Sequence, residues 1–225
     1  MKDSSYLKVI AIDGPAGSGK STVARIVADR MNMIYLDTGA MYRAVTYYLI
    51  RIGFFESKSS DICSILNSLK LEFNDSKILL NGKDISEEIR SPKIDAEVSD
   101  IAKRKEVRAF LTEMQRKIAK RGNVVIEGRD IGTVVIPEAP LKVFLTASVK
   151  ERARRRYLQL RSKGIETDIK KIEKEIRKRD EIDSTRKLAP LVKPRNAVEI
   201  DTTNLSVEEV VNMIIEMGKE RFEKT

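Results

Sequence analysis

Short apolar runs alternate along the chain with longer amphipathic stretches, and the alternation predicts the elements. Residues 7–12 (LKVIAI) form a continuous apolar run rich in β-branched side chains, the pattern of a strand buried on both faces. Over residues 20–31 apolar side chains recur at Val23, Ile26, Val27 and Met31, which is helical spacing. Residues 33–36 read as a second short strand, and 39–52 as a helix stopped at Gly53. A β-α-β-α order predicts a parallel sheet with crossover helices.

The pattern then changes. A helical stretch, 61–69, precedes three strand-like pieces at 71–73, 77–80 and 83–85. Asn74-Asp75-Ser76 and Asn81-Gly82 separate them, and Asn-Gly is the strongest short hairpin signal. This small antiparallel meander breaks the βα alternation, so it reads as an insertion. Helices at 92–102 and 106–121 lead back to the core. Buried strands are expected at 123–126 (NVVI) and 141–146 (LKVFLT), and a shorter one at 198–200. Helices are expected at 149–163, 168–183 and 207–222. The fold class is therefore α/β, with a parallel core of about five strands flanked by helices. The core takes residues 1–58 and 122–225, and the insert takes 59–121.

Composition removes several chemistries. Histidine is absent and Cys63 is the single cysteine of the 225 residues. That excludes Ser-His-Asp triads, Cys-His dyads, His-bearing metal sites and any disulfide framework. A lone thiol fits a reducing compartment. No apolar run approaches the ~20 residues of a membrane span, and the start, MKDSSYLKVIAIDG, lacks the features of a signal peptide. A soluble, cytoplasmic protein is expected. The net charge of +9 points to an anionic partner. Between residues 150 and 187 stand 15 basic and 8 acidic residues, so most of the excess lies in one segment. That segment reads either as a solvated helix pair or as a clamp on a compact polyanion. Few aromatics and no RNP-type run argue against a base-stacking nucleic-acid module.

Gly14 to Ser21 reads GPAGSGKS and matches G-x-x-x-x-G-K-[ST], between a predicted strand and a predicted helix as that motif requires. Its glycines permit backbone angles that turn successive amides inward as an anion nest. The positive end of the following helix adds to it. Lys20 places a point charge on terminal phosphates, and the Ser21 hydroxyl suits Mg²⁺. The loop predicts binding of a nucleoside triphosphate by Gly14, Pro15, Ala16, Gly17, Ser18, Gly19, Lys20, Ser21 and Thr22. The NKxD and DxxG strings of a GTPase switch do not occur. A small chain with an insert and a basic segment suits a kinase of a small phosphate acceptor, closed by an arginine-bearing lid that excludes water.

Three further clusters stand out: DTGAMYR (37–43), EGRDIGT (127–133) and RDEIDSTRKLAPL (179–191). Two follow predicted parallel strands, where open α/β sheets place ligands. Each holds arginine, the residue for bidentate phosphate contacts, beside acids that accept from hydroxyl or amino groups.

With GPAGSGKST, LDTGAMYRA, GRDIGTVV, ERARRRYLQL, RDEIDSTRKLAPL and IDTTNLS in that order, the chain resembles the bacterial cytidylate (CMP) kinases of the nucleoside monophosphate kinase group over nearly its whole length. The resemblance implies a P-loop kinase fold with a monophosphate-binding insert and a short helical lid within 150–187. It implies ATP-dependent phosphorylation of CMP and dCMP in pyrimidine nucleotide metabolism, with ATP as donor and Mg²⁺, by a monomer without nucleic-acid or membrane partners. It places Ser99 and Arg108 on the cytosine ring with Asp130 taking the amino group. Arg43, Arg129 and Arg186 hold acceptor phosphate, with Thr38 nearby, and Arg179 and Asp183 reach the ribose hydroxyls. Lys20, Arg129 and Arg186 serve the transfer. Arg152, Arg155 and Arg156 match the lid and approach ATP phosphates. Glu127 stands where Asp is common in the family, in a Walker-B-like position. Asp13 and Asp201 also end strands, as site residues or as structural caps. The competing readings are another small kinase, for UMP, dTMP or shikimate, and a nucleic-acid-binding ATPase.

Overall fold

Burial accounts for the first strand. In the computed structural model, which describes residues 8–55, 61–74, 77–162 and 164–223, every residue of β1 (Val9–Asp13) is buried, including its terminal acid. The expected ends at Leu7 and Lys163, the Asp75-Ser76 turn and the 58/59 boundary lie outside the described residues.

After β1 the chain runs through α1 (Lys20–Arg30), β2 (Ile34–Asp37) and α2 (Thr38–Arg51). Next come α3 (Ile62–Asn67), β3 (Leu71–Asn74), β4 (Lys77–Leu80), β5 (Lys83–Asp84) and a 3₁₀ turn, Glu88–Arg90. Then follow α4 (Pro92–Ile101), α5 (Lys105–Ala119), β6 (Val124–Gly128), a π-helical turn at Ile131–Val135, β7 (Leu141–Thr146), α6 (Val149–Arg161), α7 (Ile169–Thr185), β8 (Val198–Asp201) and α8 (Val207–Glu223). The five-stranded parallel sheet has the order β2-β6-β1-β7-β8, and β3-β4-β5 form the separate antiparallel meander. The strands extend past the expected ends through Asp13, Asp37, Glu127 and Gly128. Hydropathy falls at the acids, but Asp13 and Glu127 are still buried and Asp37 half-buried.

The chain divides into two compact units: residues 1–35 with 119–225, and residues 36–118. In the first, Ile10, Ile12, Val23, Val27, Val143, Leu145, Val210 and Ile214 make one continuous core in which α1 and α8 cover the sheet. Burying side chains of this size contributes roughly 1.5–3 kcal/mol each. A smaller cluster, Ala153, Ile172 and Ile176, pairs α6 with α7, so the basic segment folds as a helix hairpin on an apolar seam. In the second unit α2 packs on α4 and on the 3₁₀ turn, burying Met41, Val45, Leu49, Ile89, Ile94 and Val98. No helix among the described residues is long and apolar enough to cross a membrane.

Candidate active site

The phosphate loop leaves β1 at Asp13 and enters α1 at Lys20. Gly14 has φ +146°, and a Cβ there would lie 2.0 Å from the Leu145 carbonyl oxygen, so no side chain fits. Gly19, at φ +93°, turns the chain into α1 with no side-chain cap, which leaves the first-turn amides open. Lys20 is buried and its Nζ donates to the Pro15 carbonyl at 2.7 Å. Burial, with Arg129 next in effect, pushes its amine down to about 7, against the pull of Glu127 and Asp13. Ser18 is buried and its hydroxyl donates to Pro15 O at 3.0 Å, while Thr22 is exposed. This is a loop folded on itself around a desolvated cation at the uncapped start of α1, the arrangement a polyphosphate would fill.

Ser21 reaches a second motif. Its hydroxyl donates to Glu127 Oε1 at 2.5 Å, and the Tyr35 hydroxyl donates to the same oxygen at 3.2 Å. Glu127 is buried near the end of β6. A hydroxyl beside a carboxylate is a hard oxygen pair that fits Mg²⁺. No cluster of three or more Asp, Glu, Cys or His among the described residues forms a protein cage. A Mg²⁺ ion here would draw its other ligands from phosphate and water, its usual habit.

After β6 the GRDIGT segment turns sharply. Arg129 Nε donates to Asp183 Oδ2 at 2.9 Å. Arg186 lies 3.6 Å from Asp130 and 3.9 Å from Asp183, and its Nε donates to the Ala189 carbonyl at 2.6 Å. Arg129, Asp183, Arg186 and Asp130 thus form an alternating chain of guanidinium and carboxylate groups, largely buried. The Arg179 charge is felt at Lys20, and it lowers the lysine's proton affinity. Asp13 turns inward, its two oxygens accepting from the Ile131 and Gly132 amides at 2.8 and 2.7 Å. Burial pushes its carboxyl up to about 6. Asp201, by contrast, is exposed and caps a local turn, accepting from the Thr203 amide and hydroxyl.

The three α6 arginines point three ways, as helical spacing dictates. Arg152, 4% exposed, donates to the Ala147 and Ala16 carbonyls and grips Asp180 through both terminal nitrogens, at 3.0 and 2.7 Å. It therefore ties the phosphate loop to α7. Arg155 bonds Glu151, the Thr202 carbonyl at 2.6 Å and the Thr202 hydroxyl. Arg156 bonds Gln159 along its own helix. Sequence reasoning missed Asp180 and Thr202. Asp180 lies one helical turn before Asp183 on the same face of α7, which is the signal that could have found it. Thr202 stood inside the quoted IDTTNLS without a role.

In the second unit Asp37 caps α2, accepting from the Ala40 amide at 2.9 Å, and Thr38 begins that helix buried. Arg43 Nε and Nη2 both donate to Asp95 Oδ1, at 3.2 and 2.7 Å, so Asp95 is a further partner that sequence reasoning missed. Ser99 stands four residues on from Asp95 along α4 and is half-buried. Arg108 is buried, donates to the Ala102 carbonyl at 3.2 Å and lies 5.8 Å above the Tyr42 ring.

The sequence profile of the family described as cytidylate kinase matches residues 10–220. A cytidylate kinase of Alkaliphilus oremlandii is 53% identical over 210 residues, covering 93% of this chain and 97% of its own. One from Clostridium tetani is 50% identical over 206 residues, covering 92% and 91%. Among solved structures, a gluconokinase from Sinorhizobium meliloti 1021 superimposes with TM-score 0.51 at 16% identity, covering 97% of this chain and 95% of its own. An uncharacterized protein from Eubacterium ventriosum does so with TM-score 0.54 at 15% identity, covering 95% and 99%. The last two share the fold.

Proposed function

This chain belongs to the cytidylate kinase family, and from that premise we propose that it transfers the γ-phosphoryl group of ATP to CMP and dCMP, forming the diphosphates and ADP. The observation that carries the reading is the buried Lys20, held on the glycine loop at the uncapped start of α1 beside the Arg129–Asp183–Arg186–Asp130 chain. Family membership disfavours the UMP, dTMP, shikimate and nucleic-acid alternatives.

Transfer forms a bond from an acceptor phosphate oxygen to the γ-phosphorus and breaks the bond to the β,γ-bridging oxygen. The acceptor oxygen is already anionic near neutral pH, so a general base is unnecessary, which suits a chain without histidine. The chain's task is to position and to neutralise charge. Residues 14–22 hold the donor phosphates, with Lys20 on the terminal ones. Ser21 and Glu127 are the residues that would hold Mg²⁺, which when bound neutralises charge on the transferring group. Arg152 and Arg155 fix the loop from α6, and Arg156 stands with them on the lid. Arg129 and Arg186 hold acceptor phosphate, Asp130 accepts from the cytosine amino group, and Arg179 and Asp183 serve the ribose. Thr38, Arg43, Ser99 and Arg108 are assigned to acceptor binding as the resemblance implies. Residues 59–121 act as the monophosphate-binding insert and 150–187 as the lid. The enzyme works as a cytoplasmic monomer in pyrimidine nucleotide metabolism.

A panel of CMP, dCMP, UMP and AMP with ATP and Mg²⁺, read as ADP release, tests this. CMP and dCMP should be preferred at least tenfold over UMP and AMP, roughly what buried polar recognition supplies. A panel led by UMP or AMP overturns the assignment.

A further inference from the structure

We propose that Asp13 is a positioning residue for acceptor choice: it anchors the turn that carries Arg129 and Asp130 and thereby aims the base-reading carboxylate without touching substrate. The inference rests on the assignment of Asp130 to the cytosine amino group.

Asp13 closes β1 and directly precedes Gly14, where the phosphate loop begins. It is 1% exposed. A buried carboxylate is retained only where its charge is compensated. Here the compensation is main-chain: one oxygen accepts from the Ile131 amide, the other from the Gly132 amide. Asp13 forms no ion pair within 4 Å among the described residues. Two consecutive peptide planes are therefore pinned by one rigid group.

Those planes follow Asp130 immediately. Asp130 itself, at φ −147° and ψ 26°, belongs to neither strand nor helix, so no regular ladder fixes it. Its carbonyl instead accepts from the Val134 and Val135 amides at 2.9 and 3.1 Å, across the π turn that Asp13 holds at its first two residues. Single π turns of this kind concentrate at functional sites. The turn is also closely packed at Gly132. A Cβ on Gly132 would meet Pro194 Cγ at 2.9 Å and Lys142 Cδ at 3.1 Å, with Asp13 Oδ2 at 3.4 Å. A proline ring and a lysine stem thus pack the turn at the residue whose amide Asp13 holds. Asparagine could not replace Asp13: its single oxygen would satisfy one amide, and its NH₂ would meet the other donor to donor. Because Asp13 is also joined to Gly14, one residue links the donor loop to the acceptor-reading turn.

The test compares wild type, Asp13→Asn and Gly132→Ala. It reads KM for CMP, the CMP/UMP ratio of kcat/KM, binding of a non-hydrolysable ATP analogue by calorimetry, and thermal unfolding. Asp13→Asn should raise KM for CMP about tenfold and shrink the CMP/UMP ratio at least about fivefold, while analogue affinity stays within about threefold, since small misplacements near a reacting group are amplified. Gly132→Ala, whose methyl would crowd Pro194 and Lys142 and displace the same turn, should give the same selective loss and serves alone if Asp13→Asn does not fold. A folded Asp13→Asn with unchanged CMP KM and ratio overturns the proposal. So does equal loss of CMP and analogue binding, which marks a merely structural carboxylate, and so does a discriminating Gly132→Ala where that variant stands alone. Wild-type protein that converts no CMP overturns the functional reading, and this one with it.

Discussion

Lys20 shows how a residue can serve function at a cost to the fold. Its amine sits near 7 rather than 10.5 because burial penalises the charge. In the folded state its proton is held less tightly than in the unfolded chain. Stability therefore rises with pH between about 7 and 10.5 and carries the full penalty below 7. Asp13 works in the opposite sense: its folded value near 6 exceeds the ordinary 3.8, so stability falls as pH rises between those values. Polyphosphate binding relieves Lys20. Held well below its ordinary range, the amine is less protonated at pH 8 than a free lysine, so ATP binding should take up protons, measured by calorimetry in buffers of different ionisation enthalpy. Lys20→Met should take up almost none; equal uptake by both proteins contradicts the assignment. The same variant should lose turnover by about a hundredfold or more while raising the thermal midpoint of the nucleotide-free protein at pH 7. Asp130→Asn tests the proposed base reading: a carboxylate that accepts from the cytosine amino group repels the uracil carbonyl, so the CMP/UMP ratio of kcat/KM should narrow about tenfold or more. An unchanged ratio removes Asp130 from that role.

At the scale of elements, what was legible in the sequence was what is local. The phosphate loop was readable because strand, glycines, lysine and helix start lie within residues 9–22. The meander was readable from Asn81-Gly82, and Asn81 does stand at positive φ. The π turn at Ile131–Val135 was not, since IGTVV carries neither helical nor alternating periodicity and is shaped by Asp13, 118 residues away. The partners Asp95, Asp180 and Thr202 were missed for the same reason: each pairs across 28 to 52 residues with a group whose own motif was plain. Asp180 carries a prediction at this scale. Its fork with Arg152 joins α6, α7 and the phosphate loop, and Asp180 is about a quarter exposed while Arg152 is buried. Asp180→Asn should lower stability by roughly 1–2 kcal/mol, below the value for a fully buried pair, by denaturant unfolding. It should also raise KM for ATP several-fold with little change for CMP. A variant with unaltered stability and ATP KM shows the fork to be incidental.

For the whole molecule, the positive charge divides between two uses. Part of the basic excess in residues 150–187 is consumed within the fold: Arg152, Arg154 and Arg155 each bond a carboxylate, and Ala153, Ile172 and Ile176 give the segment an apolar seam. The proposed phosphate-facing set is Lys20 and Arg129 with Arg179 and Arg186 of that segment, in a chain whose family membership spans residues 10–220. That division predicts a nucleotide kinase and not a phosphate-tracking nucleic-acid ATPase, whose binding would fall steeply with salt. The most direct measurement is product stoichiometry by ³¹P NMR with ATP, CMP and Mg²⁺ present together. CDP and ADP should appear in equal amounts with negligible inorganic phosphate; ADP accompanied by inorganic phosphate, without CDP, would contradict the account.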